Sequence, residues 1–334
     1  MADAEATDVM TLVYTSGTTG PPKGAMLTNS NAAFAIDKII KLPDRMPNGK
    51  PPDPSDLIVT YLPLCHVAER IFSTWHLASC GTVLNFAESI DTVTASLREV
   101  QPTLFFAVPR IWEKLHAGVQ IRGNDATFVK KKVLNGGLKL AGYVGRKKVA
   151  NGGKHTLGSR LAYAIGYVTV FRALKERVGL RRCRHAGSGA AAIAPEVLEF
   201  FIGIGVPVFE LYGMTENTAV ATANFPGRMK LGTVGEPYPG IELRLDETTG
   251  EIQTKHPGSF AGYWGQARAD GRDVHRRRLA DDGRRRRVGR RHAREDRRPH
   301  QAHHHHVWRQ ERLAVGDREQ PEDVAVHQGG DGGR

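Results

Sequence analysis

Residues Tyr14 to Gly24 read YTSGTTGPPKG. Four hydroxyl side chains (Thr15, Ser16, Thr18 and Thr19), three glycines (Gly17, Gly20 and Gly24) and Lys23 follow Met10 to Tyr14, an apolar run that reads as a buried strand. Glycines let backbone N–H groups approach an anion closely, hydroxyls add donors, and a lysine adds a mobile positive charge. The stretch has the makings of a triphosphate cradle at a strand end, where α/β proteins bind ligands. It is not a Walker A loop, because that motif needs Ser or Thr after its lysine and Gly24 stands there. On composition alone, the competing reading is a Gly/Thr-rich surface turn.

Outward from this stretch, Asn29 to Lys41 has apolar residues at helical spacing, with Thr28, Asn29 or Ser30 as N-cap. The helix start is expected to lend its dipole to the cradle. Pro43 to Ser55 reads as a loop, and Leu57 to Leu64, Gly81 to Phe86 and Pro102 to Val108 read as strands, with helical Ile90 to Val100 among them. That βαβ rhythm predicts an α/β fold with a mostly parallel sheet flanked by helices. Trp112 to Arg182 is basic and helical in pattern; Pro195 to Ile204 reads as an amphipathic helix and Pro207 to Leu211 as a strand.

The chain has 334 residues, 40% of them hydrophobic, enough for a substantial core. Cys65, Cys80 and Cys183 lie far apart, without the spacing of a disulfide framework or zinc site. No run is apolar enough to cross a bilayer and no signal-like segment opens the chain, so the expectation is a cytoplasmic protein, soluble or peripheral. The formal charge of +12 is unevenly spread. Its basic helices suit contact with an anionic membrane, and no specific nucleic acid is expected as partner.

YTSGTTGPPKG closely resembles the signature loop of the adenylate-forming (AMP-binding) superfamily, and four further stretches extend the likeness. LPLCHVAER (62–70) resembles the second core motif of long-chain acyl-CoA synthetases, HAGSGAA (185–191) the family's glycine-rich turn, YGMTE (212–216) its second signature, and PGSFAGYWG (257–265) the segment ending in GYW. Residues 1–265 are accordingly expected to form a partial adenylation domain. The resemblance implies a long-chain fatty-acid–CoA ligase: a fatty carboxylate attacks the ATP α-phosphate to give acyl-AMP, and CoA then displaces AMP. By the same resemblance, Thr15, Ser16, Gly17, Thr18, Thr19, Gly20 and Lys23 hold the phosphates. Tyr212 and Gly213 meet adenine, Thr215 the α-phosphate, and Glu216 holds Mg²⁺. His66 with Gly187, Ser188, Gly189 and Ala190 borders the acyl-adenylate pocket. Lys23, His66, Thr215 and Glu216 are the expected catalytic residues. Read alone, His66 is more ordinarily a structural histidine, and Glu216 a carboxylate at a helix start.

Three functions stay open: a CoA ligase, an acyl-AMP ligase that stops at the adenylate, and a non-catalytic nucleotide- or nucleic-acid-binding fragment. By the resemblance, the family carries an N-terminal portion before the loop and a C-terminal domain with a catalytic lysine, so the expectation is either a true start upstream of Met1 or a fragment. From Gln266 to Arg334 there is no Lys, Ile, Phe, Tyr, Met, Cys, Asn, Ser or Thr, and every residue but Trp308 has a codon starting with C or G. That is the mark of a G+C-rich gene read out of frame, and a one-base shift at Gln266 permits WLTTGD at 279–284, the family's Thr-Gly-Asp. The expectation is a disordered out-of-frame tail over 266–334, which sequencing the DNA across the Gly265 codon tests.

Overall fold

The structure is a computed structural model that describes residues 3–15, 21–124, 127–246 and 252–265, with the backbone alone for 122–124. The expected tail, 266–334, lies outside the described residues. The chain opens with an antiparallel hairpin, β1 (Val9–Thr15) and β2 (Lys23–Thr28). Helix α1 (Asn29–Ala35) follows, its N-cap Thr28 in a capping box with Asn31, and runs on as a π-helical turn, Ile36–Ile40. Between β3 (Leu57–Thr60) and β4 (Val83–Phe86) lies one helical rod made of α2 (Val67–Arg70), a π-helical turn (Ile71–Trp75) and α3 (His76–Cys80). Helix α4 (Val93–Val100) leads to β5 (Leu104–Ala107). Four helices come next: α5 (Pro109–Asn124), α6 (Phe128–Ala150), α7 (Leu157–Gly166) and α8 (Arg172–Val178).

The chain then alternates β6 (His185–Ser188), α9 (Pro195–Gly203) and β7 (Val208–Tyr212) before the short β8 (Thr222–Ala223) and β9 (Glu236–Pro237). A hairpin of β10 (Glu242–Leu245) and β11 (Ile252–Lys255) precedes β12 (Gly262–Tyr263), which returns to pair with β2. Among the described residues the main sheet has the order β4-β3-β5-β6-β7-β8-β9. It is parallel from β4 to β7 and antiparallel beyond. The α/β reading therefore holds. Strands β5 and β6 are buried along their whole length, as parallel strands covered on both faces must be.

One local expectation changes and another holds. The start of α1 does not lie beside the cradle, because the six residues of β2 intervene and carry the chain roughly 20 Å away. Helix α9 is amphipathic in place: Val197, Leu198, Phe200, Phe201 and Ile202 are buried, while Glu196 is exposed and Glu199 half-buried on the outer side. It crosses α6 backbone to backbone, so a Cβ added at Gly203 would stand 1.9 Å from the Ala141 carbonyl oxygen. Trp112 fills the space between this helix and the sheet, edge-on to Phe105 and Phe201.

The opposite end of the sheet, where β3, β5 and β6 begin, is tied by a buried ion pair. Arg184 Nε and Nη2 donate to the two Asp56 carboxylate oxygens at 2.9 and 2.5 Å, and Thr103 Oγ1 donates to Oδ1 at 2.7 Å. Burial pushes the Asp56 pKa up, but the Arg184 and Thr103 bonds outweigh it and hold it below the usual aspartate value. Such a group adds stability above its unfolded pKa and loses it as pH falls through the folded one. Replacing Arg184→Met is expected to cost about 3 kcal/mol at pH 7, by leaving a buried carboxylate unpaired. In urea titrations the gap from wild type should narrow as pH drops below 4; a gap independent of pH would show that packing, not charge, is what Arg184 supplies.

Candidate functional site

Thr15 pairs with Lys23 and Tyr14 with Gly24 across the β1–β2 hairpin, so the cradle is its closed end. Ser16, Gly17, Thr18, Thr19 and Gly20 lie outside the described residues. Lys23 is held at the exit of the loop, with Nζ 5.1 Å from the centre of the Tyr263 ring. The Tyr263 hydroxyl donates to Glu216 Oε1 at 2.8 Å. One aromatic side chain thus joins the two expected catalytic residues, which stand far apart in sequence. Backbone bonds fix the arrangement: Trp264 N donates to the Gly24 carbonyl and Phe260 N to the Glu216 carbonyl, both at 2.8 Å. Sequence reasoning gave Tyr263 no role, although GYW was singled out there.

YGMTE forms a tight turn rather than a helix start. Thr215–Asn217 is a single 3₁₀ turn in which Met214 N donates to Asn217 Oδ1 at 2.8 Å. The backbone then reverses through Thr218 and Ala219, both left-handed at φ 53° and 57°. Gly213 is enforced by this reversal, since a Cβ there would sit 2.2 Å from the Ala219 carbonyl carbon. The turn leaves Thr215 and Glu216 just beyond the C-terminal end of β7.

Beside it, Tyr212 has a buried hydroxyl without a partner among the described residues, its pKa pushed up to about 12 by burial and then by the Glu216 charge. Glu210, two residues earlier on the same face of β7, is only 8% exposed, and burial pushes its pKa up to about 7. Among the described residues its Oε2 has no partner, and neither has Oγ of Ser188, the residue paired with it on β6. Glu210 was missed in the sequence, where an acid inside the apolar run VFELY was the available signal.

Past Ser188 the chain turns through Gly189 and Ala190, and Ala190 is left-handed at φ 71°. Phe106 and Leu211 pack beneath Gly187 and Gly189. His66 is the N-cap of α2: its Nδ1 accepts from Ala68 N at 3.1 Å, which leaves the proton on Nε2. Partial burial draws its pKa below the usual histidine value. Its hydrogen bond stays within its own turn, so His66 has the structural role as well as an exposed ring. Among the described residues no three His, Cys, Asp or Glu side chains cluster as a metal site. Glu216, with one oxygen on Tyr263, suits a Mg²⁺ held chiefly by phosphate oxygens and water, as that ion prefers.

Comparison with known proteins gives this geometry a family. The pattern described as AMP-binding enzyme matches residues 1–264. Protein fadD11 of Mycobacterium tuberculosis, assigned as a fatty-acid–CoA ligase, is 36% identical over 262 residues, 77% of this chain and 43% of its own length. The long-chain-fatty-acid–CoA ligase ACSBG2 of Xenopus laevis is 32% identical over 263 residues, 76% of this chain and 34% of its own. Among solved structures, a malonyl-CoA ligase complex with methylmalonyl-CoA and AMP superimposes with a TM-score of 0.52 at 25% identity, over 81% of this chain and 48% of its own. The chain spans less than half the length of each of these relatives. With the hairpin, the glycine-rich turn, YGMTE and the Tyr263 strand all inside the matched residues, this chain belongs to the AMP-binding enzyme family.

Proposed function

We propose that this chain carries the ATP- and acyl-binding surface of a long-chain fatty-acid–CoA ligase, which makes acyl-AMP and pyrophosphate and then passes the acyl group to CoA. The observation that carries the reading is the convergence of Lys23 and Glu216 on Tyr263. Displacement at the α-phosphorus puts charge on the phosphate oxygens, and fixed cations and donors lower its cost. Lys23 and the hydroxyls of the cradle would hold the β- and γ-phosphates, and Thr215 would donate to the α-phosphate. Glu216 would hold Mg²⁺, which when bound neutralises phosphate charge. Tyr212 would stack on adenine, and His66 with Gly187, Ser188, Gly189 and Ala190 would border the acyl group.

A second reading has its own observation. Leu157, Leu161, Ile165 and Val168 form one stripe along α7 and its continuation, and each is more than half exposed. Between Trp112 and Arg182 sixteen lysines and arginines stand against three acids. No helix among the described residues is long and apolar enough to cross a membrane. An exposed apolar stripe in a strongly basic unit is the pattern of a helix that lies in an anionic lipid surface, and we infer that α7 does so.

Three outcomes test these readings. Lys23→Ala should weaken ATP binding about tenfold in calorimetry while leaving AMP little changed, and Glu216→Gln should abolish the gain in ATP affinity on adding Mg²⁺. Equal losses for ATP and AMP would sink the assignment. Glu210, with its pKa raised from 4.5 to about 7, gives stability that is whole below pH 4.5 and lost as pH rises through 7. Glu210→Gln should therefore match wild type at pH 4.5 and exceed it by about 3 kcal/mol at pH 8. Finally, vesicles containing one-third phosphatidylglycerol should protect residues 157–168 from hydrogen exchange, and Leu161→Glu should remove the protection. Protection confined to 266–334, or equal with neutral vesicles, would dismiss the membrane reading.

A further inference from the structure

One face of the main sheet carries Ile58, Leu104, Phe106, His185 and Gly187, brought side by side by the register of β3, β5 and β6. Phe72 and His76 of the helical rod, with Ile39 and Arg45 from the segment after α1, cover this face and enclose a cavity of about 20 Å³, room for a water-sized group. Phe72 is stacked flat on Phe106, ring centres 4.2 Å apart. Gly187 belongs both to this cavity and to the turn that leads to the candidate acyl site. His185 lies two residues back along β6, about 7 Å deeper below the edge of the sheet.

The walls are apolar, but the deep end is not. Arg45 is 1% exposed. Its Nη1 donates to the Ile39 carbonyl at 2.9 Å, its Nη2 lies 3.4 Å from His185 Nε2, and its Nε has no hydrogen-bond partner among the described residues. The guanidinium lies 5.6 Å from the centre of the Tyr238 ring. Among the described residues it has no ion pair; the acid whose charge reaches this cluster, Asp56, is already engaged by Arg184. Since His185 Nε2 faces an Arg45 N–H, its proton belongs on Nδ1, and among the described residues that nitrogen is buried without an acceptor, as is Nδ1 of His76. Burial pushes the His76 pKa down to about 3 and holds that of His185 well below the ordinary value. Both rings are therefore neutral, and the excess positive charge is that of Arg45. A buried charge without a counter-charge is costly, and a methyl terminus arriving here would leave that cost in place.

We propose that this pocket is the far end of the acyl site and takes a terminal carboxylate, so that the preferred acid bears a second carboxyl group at its other end. The inference rests on the acyl-site reading of Gly187. Arg45 would pair with the distal carboxylate, His185 and His76 would offer N–H groups, and the Phe72–Phe106 stack would part to admit the chain.

The test compares octanoate, dodecanoate and hexadecanoate with the α,ω-dicarboxylates of the same lengths, by calorimetry on the full chain in wild type and in Arg45→Met. At the length that binds best, the dicarboxylate should bind wild type at least tenfold tighter than the monoacid, and Arg45→Met should reverse that order. If monoacids bind as tightly as dicarboxylates to wild type, a comparison that needs no variant, the pocket is not a carboxylate subsite and the acyl-site reading still stands. Should neither series bind, both fall. Should chloride alone give an Arg45-dependent stabilisation that the dicarboxylates do not displace, the pocket holds an inorganic anion and the proposal is overturned.

Discussion

The hydrogen bond from Tyr263 to Glu216, with the Lys23 ammonium over the same ring, is the contact on which the candidate site depends. A hydrogen bond to a carboxylate contributes roughly 1.5–3 kcal/mol, and a cation over an aromatic face about 1 kcal/mol. Neither would be made without β2, which pairs with β1 on one side and β12 on the other. The strand sets Lys23 at the mouth of the hairpin and Tyr263 directly beside it. Glu216 is presented to that ring by a turn so tight that Gly213 tolerates no side chain.

The N-terminal edge of the main sheet is closed by the fully satisfied Asp56–Arg184–Thr103 network. Among the described residues, unmet polar groups stand toward both edges of the main sheet, Thr82 and His185 at the N-terminal edge and Ser188, Glu210 and Tyr212 toward the C-terminal one. Native interiors leave few such groups unmet, and those that remain tend to gather where a ligand is received. The left-handed Ala190 and the pair Thr218 and Ala219 stand in the same region, where backbone strain is offset by packing around it.

Much of this architecture is legible in the sequence, and the parts that are not share one cause. The parallel strands announce themselves as short apolar runs between helical segments, and the capping residue Thr28 is visible beside Asn29. Strand β2 is hidden because KGAMLT has the composition of a loop exit; its strand character comes from β1 and β12 on its two sides. Helix α9 shows two glutamates in nine residues and keeps them on its outer side, but that α6, sixty residues earlier, closes on it at backbone distance through Ala141 is not written in its own residues. Tyr263 escaped for the same reason, since what makes it matter is Lys23 and Glu216, both distant in sequence. Motif resemblance supplied Lys23, Thr215 and Glu216, while the glycine of YGMTE proves to be demanded by local geometry.

Because β12 bonds to β2 through Gly262 and Met26, the site is closed by two stretches of chain separated by almost the whole described sequence. During synthesis the hairpin leaves the ribosome long before its third strand exists, and at ordinary elongation rates the interval is on the order of tens of seconds. For that time β2 presents a bare edge, the kind of surface that invites pairing with other chains. Closing so long a loop also costs entropy before any contact rewards it. The step that brings Tyr263 between Lys23 and Glu216 therefore belongs at the end of folding, which makes the candidate site the last part of the described residues to form and the most exposed to capture by a neighbouring chain.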